Sequence, residues 1–235
     1  MSLRIVRLAE RLFNTHGDVE NSRPLALRAK ERGHRVEVVS FEGGRWSGKA
    51  PSVVVIGSAM EFQWNQALAT LRSEWSRLQE WQASGTVLVA VGTSVEMLGR
   101  TVQRGGEVIE GLGAHTGSAE ALPTHQSRFV VVHHERGEAV GFLNRDRRMV
   151  WDSTAPVGVI TAPDDLDGDQ DLFLSDTLVM TALRGPVLAV NPWIADEVLA
   201  RCGVDTSGDL PDTLRRLDAH SDAVASRIRS QLQAN

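Results

Sequence analysis

The stretch Val87-Leu88-Val89-Ala90-Val91-Gly92-Thr93-Ser94-Val95-Glu96-Met97-Leu98-Gly99 carries a continuous apolar run through a tight turn into a helical pattern. Such a run reads as a strand buried on both faces, the habit of a parallel sheet covered by helices. The residues two before and two after Gly92 are the small Ala90 and Ser94. Small side chains at those offsets are the steric signature of a nucleophile elbow, a strained strand-to-helix turn that tolerates little bulk around its central residue. Here the centre is glycine. The turn therefore offers no side-chain nucleophile, only backbone N–H groups at a helix start, which suit an anion or a carboxylate. An ordinary strand-to-helix turn explains the same spacing.

The alternation extends on both sides. Residues 3–6, 35–39, 52–56 and 86–91 are short apolar runs expected as strands. Between the first two lies a helix over 21–32, with Ser22 as its N-cap, Pro24 in its first turn and Gly33 just past its end. Leu68, Leu71, Trp75 and Leu78 recur at three- and four-residue spacing and Gly85 closes the segment, which predicts an amphipathic helix. Strands alternating with helices give an α/β class with a mainly parallel sheet flanked by helices. From about residue 106 the texture changes to glycine-rich connections and shorter runs at 129–133, 139–143, 157–160 and 178–181, expected as a sheet extension with antiparallel members. Leu214, Leu217, Val224 and Ile228 then form one stripe of a helix over 211–232 that should pack on the domain or on a partner. Residues 1–205 read as one domain and 206–235 as its helical appendage.

The 235 residues carry 25 Lys plus Arg against 30 Asp plus Glu, and this acidic balance argues against a nucleic-acid partner. At 42% apolar and 23% charged the chain can bury a core, which excludes global disorder. No run approaches the roughly 18 to 20 apolar residues of a membrane span, and Arg4 and Arg7 interrupt the place of a secretory apolar region. The expected location is the cytoplasm. A lone Cys202 excludes a disulfide framework and a thiolate-built zinc site.

Three stretches together resemble a family. The first is Asn14-Thr15-His16-Gly17-Asp18-Val19-Glu20-Asn21, with Arg32-Gly33 at the following helix end. The second is the Gly92 turn with its Met97-Leu98-Gly99 exit. The third is Thr181-Ala182-Leu183-Arg184-Gly185-Pro186, followed by Asn191-Pro192 and Ala195-Asp196. The chain resembles class I glutamine amidotransferase domains of the CobB/CobQ type, most closely the GatD glutaminase subunits that partner the Mur-ligase-like MurT. The resemblance implies a three-layer sandwich and a heterodimer with an ATP-dependent ligase, to which ammonia is passed.

Against that family, Gly92 stands at the position of the cysteine that attacks the glutamine amide, and Arg184 at that of the histidine that activates it. Loss of nucleophile and base together removes about six orders of magnitude in a comparable hydrolase. Glycine has no side chain and a guanidinium cannot act as a base. The segment Gly57-Ser58-Ala59-Met60-Glu61 is bulkier than the family's glycine-rich equivalent and narrows the glutamine pocket. Ser58, Glu61, Thr93, Ser94 and Arg128 are the candidate binding residues, Arg128 by its place near a substrate-contacting arginine of relatives.

Other features carry less chemistry. Thr93 and Ser94 lack a base to activate their hydroxyls. Cys202, at the end of a helix over 194–201, reads as a structural thiol. His133 and His134 point to opposite faces of a strand and cannot share a metal, and His115 and His125 read as isolated neutral loop histidines. The acidic run over 164–171 has Pro163 and Leu174 where a calcium loop needs ligands, so it reads as a solvated turn. Gly43-Gly44-Arg45-Trp46-Ser47-Gly48-Lys49-Ala50 lacks the hydroxyl and helix of a phosphate loop. No metal and no cofactor are expected. The reading is a degenerate GatD-like subunit that binds a MurT-like ligase; the alternative is an enzyme or small-molecule-binding protein using the old pocket for an anionic or amino-acid ligand.

Overall fold

The computed structural model describes residues 1–233, so the last two residues of the 206–235 appendage lie outside the described part. Four strands open the chain's architecture: β1 (Ser2–Leu8), the largely exposed edge strand β2 (Arg35–Phe41), and the buried β3 (Val53–Ile56) and β4 (Val87–Val91). They are joined through α1 (Ser22–Glu31) and α2 (Trp64–Ala83), and β4 runs into the short α3 (Thr93–Leu98). After them come β5 (Thr101–Arg104), β6 (Glu107–Glu110), β7 (Ser118–His134), β8 (Gly137–Val150), β9 (Val157–Ala162), β10 (Gln170–Leu174) and β11 (Leu178–Thr181). The helices α4 (Val187–Val190), α5 (Pro192–Arg201) and α6 (Asp212–Gln233) finish the described chain.

One sheet holds the strands in the order β2-β1-β3-β4-β11-β10-β9-β7-β5-β6, with β8 paired to β7. The first five run parallel, and the β10, β9 and β7 extension is antiparallel. Period-two alternation along the parallel strands sorts side chains into two cores. Val53 and Val55 pack with Leu25 and Ala29 of α1 and Ile194 and Val198 of α5. Val54 and Ile56 pack with Leu68, Leu71 and Leu78 of α2. Three layers, helix–sheet–helix, follow from that division, and the fold is α/β.

Several local expectations change. Asn21, not Ser22, occupies the N-cap of α1 and makes no side-chain cap, because its Oδ1 accepts instead from Leu188 N at 2.8 Å while its Nδ2 donates to the carbonyls of Asp18 and Gly185, both at 2.8 Å. Ser22 is the first helical residue, and its hydroxyl accepts from Arg7 Nε at 2.8 Å. The acidic run 164–171 is a turn only at its start: a single 3-10 turn spans Asp164–Leu166, whereas Asp171 is fully buried within β10. The β5–β6 hairpin, turning on Gly105 and Gly106 with positive φ, falls in a region read as glycine-rich connection.

Helix α6 turns only part of its stripe inward. Leu214, Ala225 and Ile228 are buried, whereas Leu217 and Val224 stay exposed. Burying Leu214 and Ile228 contributes roughly 2 kcal/mol each. The helix is pinned by Arg28 of α1, which forks onto Asp218 (2.6 and 3.1 Å) and onto Asp196 of α5 (2.8 and 2.5 Å). On the far side of the β7–β8 hairpin, the Asn191 amide accepts from Val140 N at 2.8 Å and donates to Val140 O at 2.9 Å, as a neighbouring strand would.

Candidate functional site

The turn after β4 keeps an elbow's backbone. Gly92 has φ 77° and ψ −133°, a conformation that glycine adopts freely and L side chains rarely do. What stands beside it differs from an open pocket. Arg184 reaches in from the segment after β11, its Nη1 donating to Ser58 Oγ at 2.5 Å and its Nε and Nη2 to the Asn144 carbonyl at 3.1 and 2.9 Å. A Cβ added to Gly92 would overlap both Ser58 Oγ and Arg184 Nη1, with Arg184 Cζ at 3.2 Å. The space that a side chain at position 92 would leave along is filled by a hydroxyl and a guanidinium.

The turn's own polar groups are committed as well. Gly92 N donates to Thr181 O at 2.8 Å and Thr93 N to Ser58 Oγ at 3.2 Å. Thr93 Oγ1 accepts from Ala59 N at 2.9 Å, and Ser94 Oγ donates to the backbone carbonyls of Ile56 and Val91 at 3.2 and 3.3 Å. The N–H groups of Gly92 and Thr93, which looked available to an anion, thus already have partners.

Asp18 holds the two sides together. Fully buried, it accepts from Ser58 N at 3.0 Å and from Gly185 N at 2.7 Å, bridging the residues on either side of the filled space. Burial pushes the Arg184 guanidinium pKa down, and the charges of Glu96, Asp18 and Asp171 pull it back up. Glu96, on α3, has its carboxyl pushed up by burial against the pull of Arg147 and Arg184. Arg147 bonds Glu96 at 2.5 Å and Glu61 at 3.2 Å; burial alone would lower its pKa, and the two carboxylates leave it raised. Behind them Asp171, its carboxyl pushed up by burial, takes three bonds on one oxygen, from Thr181 Oγ1, Leu172 N and Ala182 N at 2.6, 2.6 and 3.1 Å.

Ser58, Thr93, Ser94, Gly92 and Arg184 therefore meet in one cluster. Glu61 joins it at the rim through Arg147, and also accepts from Arg104 Nε at 2.7 Å. Arg128 lies elsewhere in β7, half exposed, donating to Asp165 at 2.5 Å, and no hydrogen bond links it to the cluster. Two histidines depart from the sequence reading. His115 is a core residue whose Nδ1 accepts from Gly117 N and Trp151 Nε1, both at 3.0 Å, and whose pKa is lowered by burial. His125 sits in β7 between Asp146 and Asn144, at 2.8 and 2.7 Å, and Asp146 raises its pKa. Sequence reasoning passed over Asp18, Asn144, Glu96 and Arg147 as site residues. Only Asp18, inside the 14–21 stretch, and Arg147, alternating with Arg145 along one inward strand face, carried a readable signal.

No protein-family model matches the chain, and no curated protein does. Among solved structures it is similar to a chain of PurLQS from Thermotoga maritima, with TM-score 0.57 and 11% identity over 86% of this chain and 98% of that one. It is also similar to a glutamine amidotransferase structure, with TM-score 0.52 and 15% identity over 85% of this chain and 99% of that one. The fold is that of a class I glutamine amidotransferase. At these identities the likeness speaks for the fold of the amidotransferase-like chain alone. Among the described residues no cluster of His, Cys, Asp and Glu is arranged to hold a metal ion, and no helix is long and apolar enough to cross a membrane.

Proposed function

We propose that this chain is a catalytically degenerate, GatD-like glutamine amidotransferase subunit that acts by binding and supporting a MurT-like, Mur ligase-type ATP-dependent ligase. The observation that carries the reading is the overlap of any Cβ at Gly92 with Ser58 Oγ and Arg184 Nη1. A glutaminase needs a nucleophile there, a base within hydrogen-bond reach of it and room for the amide. This chain has glycine at the nucleophile's place and a guanidinium, which remains protonated at neutral pH, where the base and the substrate would be. The amidotransferase-like body, residues 1–205, and the helical appendage, 206–235, then serve as a docking unit. The ligase, working in the cytoplasm, would use free ammonia or another amine.

Ammonia release from glutamine tests the first half. The wild type is expected to release none, and the triple variant Gly92→Cys, Ser58→Gly, Arg184→His to release measurable ammonia, because it restores nucleophile, space and base together. Turnover by the wild type would overturn the degenerate reading. Co-expression with a Mur-type ligase from the same genome tests the second half. Stable co-purification and ligation driven by ammonium salt are expected, and a ligase indifferent to this chain would refute partnership.

A further inference from the structure

Between α1 and α6, on the flank of the segment that carries Arg184, runs a groove of about 510 Å³ whose walls include Leu27, Leu188, Val190, Leu214, Leu217 and Val224. Three of these keep unusual exposure for large aliphatic side chains: Leu27 38%, Leu217 41% and Val224 46%. Leu217 and Val224 are seven residues apart on α6, so they stand about two turns apart on one line of the helix.

Charge distinguishes this groove from a generic apolar surface. Lys30 of α1 and Arg216 and Arg227 of α6 are exposed and make no ion pair or hydrogen bond among the described residues. Helical spacing puts Lys30 three residues from Leu27. It also puts Arg216 and Arg227 on the strip of His220 and Val224, so the cations flank the apolar walls on both sides. The acids that line the groove are neutralised: Glu20 pairs with Arg7 and Arg23, and Asp218 with Arg28. Glu31, one turn beyond Leu27, and Asp222, one turn beyond Asp218, are the exposed carboxylates nearby that make no ion pair among the described residues, and neither lines the groove.

We propose that this groove receives an acidic amphipathic helix of a protein partner, its apolar ridge seated between α1 and α6 and its carboxylates facing Lys30, Arg216 and Arg227. This rests on the partner-binding reading above and names the surface for it. A groove walled by two helices with an apolar floor suits a helical ridge with anchors at i, i+3 or i+4 and i+7. The concave shape fits a flat lipid surface poorly. Self-pairing of α6 about a two-fold axis through the same flank would set Arg216 and Arg227 against their own copies, a like-charge arrangement.

The test uses the full chain and a fluorescent synthetic peptide with leucines at that helical spacing and glutamates on both flanks, read by anisotropy. Saturable binding is expected, weakened about tenfold when the peptide's glutamates become lysines and about tenfold by Arg216→Glu with Arg227→Glu. The lysine peptide should in turn prefer that charge-reversed protein. Leu217→Ser with Val224→Ser, both exposed and safe for the fold, should weaken binding while circular dichroism stays unchanged. Equal binding of both peptides, or no effect of either pair of substitutions, overturns the proposal. So does binding to phosphatidylglycerol vesicles in place of the peptide, or a dimer that Leu217→Ser with Val224→Ser abolishes. Failure here with retained co-purification of a Mur-type ligase removes the groove and leaves the partner reading standing. Peptide binding without any ligase association does the reverse.

Discussion

Arg184 and Ser58, 126 positions apart, share a 2.5 Å hydrogen bond across the space beside Gly92. Two chain segments far apart in sequence here close on each other beside the glycine turn. The closure is braced from below by Asp18, whose two oxygens take the backbone N–H groups of Ser58 and Gly185.

Placing a side chain at position 92 should therefore be harmful on its own. Gly92→Cys places a Cβ in the Ser58–Arg184 contact on a backbone at φ 77°. The single variant is expected to lose about 2 kcal/mol in urea denaturation, the scale of overpacking and of strain at such a conformation. The same change in a Ser58→Gly, Arg184→His background should lose clearly less. Wild-type stability of the single variant would mean that the guanidinium moves aside freely.

Asp18→Ala removes a buried acceptor from two N–H donors at once. Donors left without partners in a buried place cost about 1 to 3 kcal/mol each, so a loss near 3 kcal/mol is expected from denaturant midpoints. A change under about 0.5 kcal/mol, the range of surface substitutions, would show that water replaces the carboxylate at no cost.

Arg28 is the pin that fastens α6. Arg28→Met leaves Asp196 and Asp218 facing each other without their shared cation, although Arg32 still reaches Asp196 at 3.1 Å. Breaking a buried pair in this way costs about 3 kcal/mol or more. Limited proteolysis should cut faster in the 205–211 connection of the variant. Equal cleavage rates would place the hold on α6 in Leu214 and Ile228 instead.

His115 makes stability depend on pH. Its folded pKa lies below the ordinary 6.5 because burial disfavours the charged ring. The unfolded chain takes up the proton first, so stability is intact above about pH 7 and is lost as pH falls through the unfolded value. His115→Gln should be less stable than wild type at pH 7.5 by about 1 to 2 kcal/mol, from lost hydrogen bonds to Trp151 and Val95. Its urea midpoint should also fall less between about pH 7.5 and 5.5. Identical falls in both proteins would remove His115 as the cause.

The parallel half of the sheet was legible because its signals are local. Continuous apolar runs mark β1, β3 and β4, and Gly33 and Gly85, both with positive φ, stand where α1 and α2 end. β10 was hidden because Asp171 looks like the last member of an acidic turn, and only contacts with Thr181 and Ala182 reveal it as an interior carboxylate. The β5–β6 hairpin was hidden because four-residue polar strands carry no periodicity that stands out from a loop. At the site, Gly92 and Arg184 stood out in the sequence as separate positions, but not that they meet. That depends on the Arg184 side chain reaching Ser58 rather than solvent, and on the Asn144 carbonyl that holds it there. Tertiary approach of this kind leaves no trace in residue spacing.

The Asn191 side chain, which occupies both main-chain groups of Val140, has a bearing on how the molecule behaves in crowded solution. β8 pairs with β7 alone, which leaves a long outer border of the hairpin, the sort of template onto which foreign chains add. Along that border the Val140 groups are taken by Asn191, the Phe142 carbonyl by Arg184 N at 2.9 Å, and the Glu138 carbonyl by Trp193 Nε1 at 2.8 Å. Side chains and one backbone N–H thus blunt the border at every second residue from Glu138 to Phe142, which guards that stretch of the hairpin against intermolecular sheet growth.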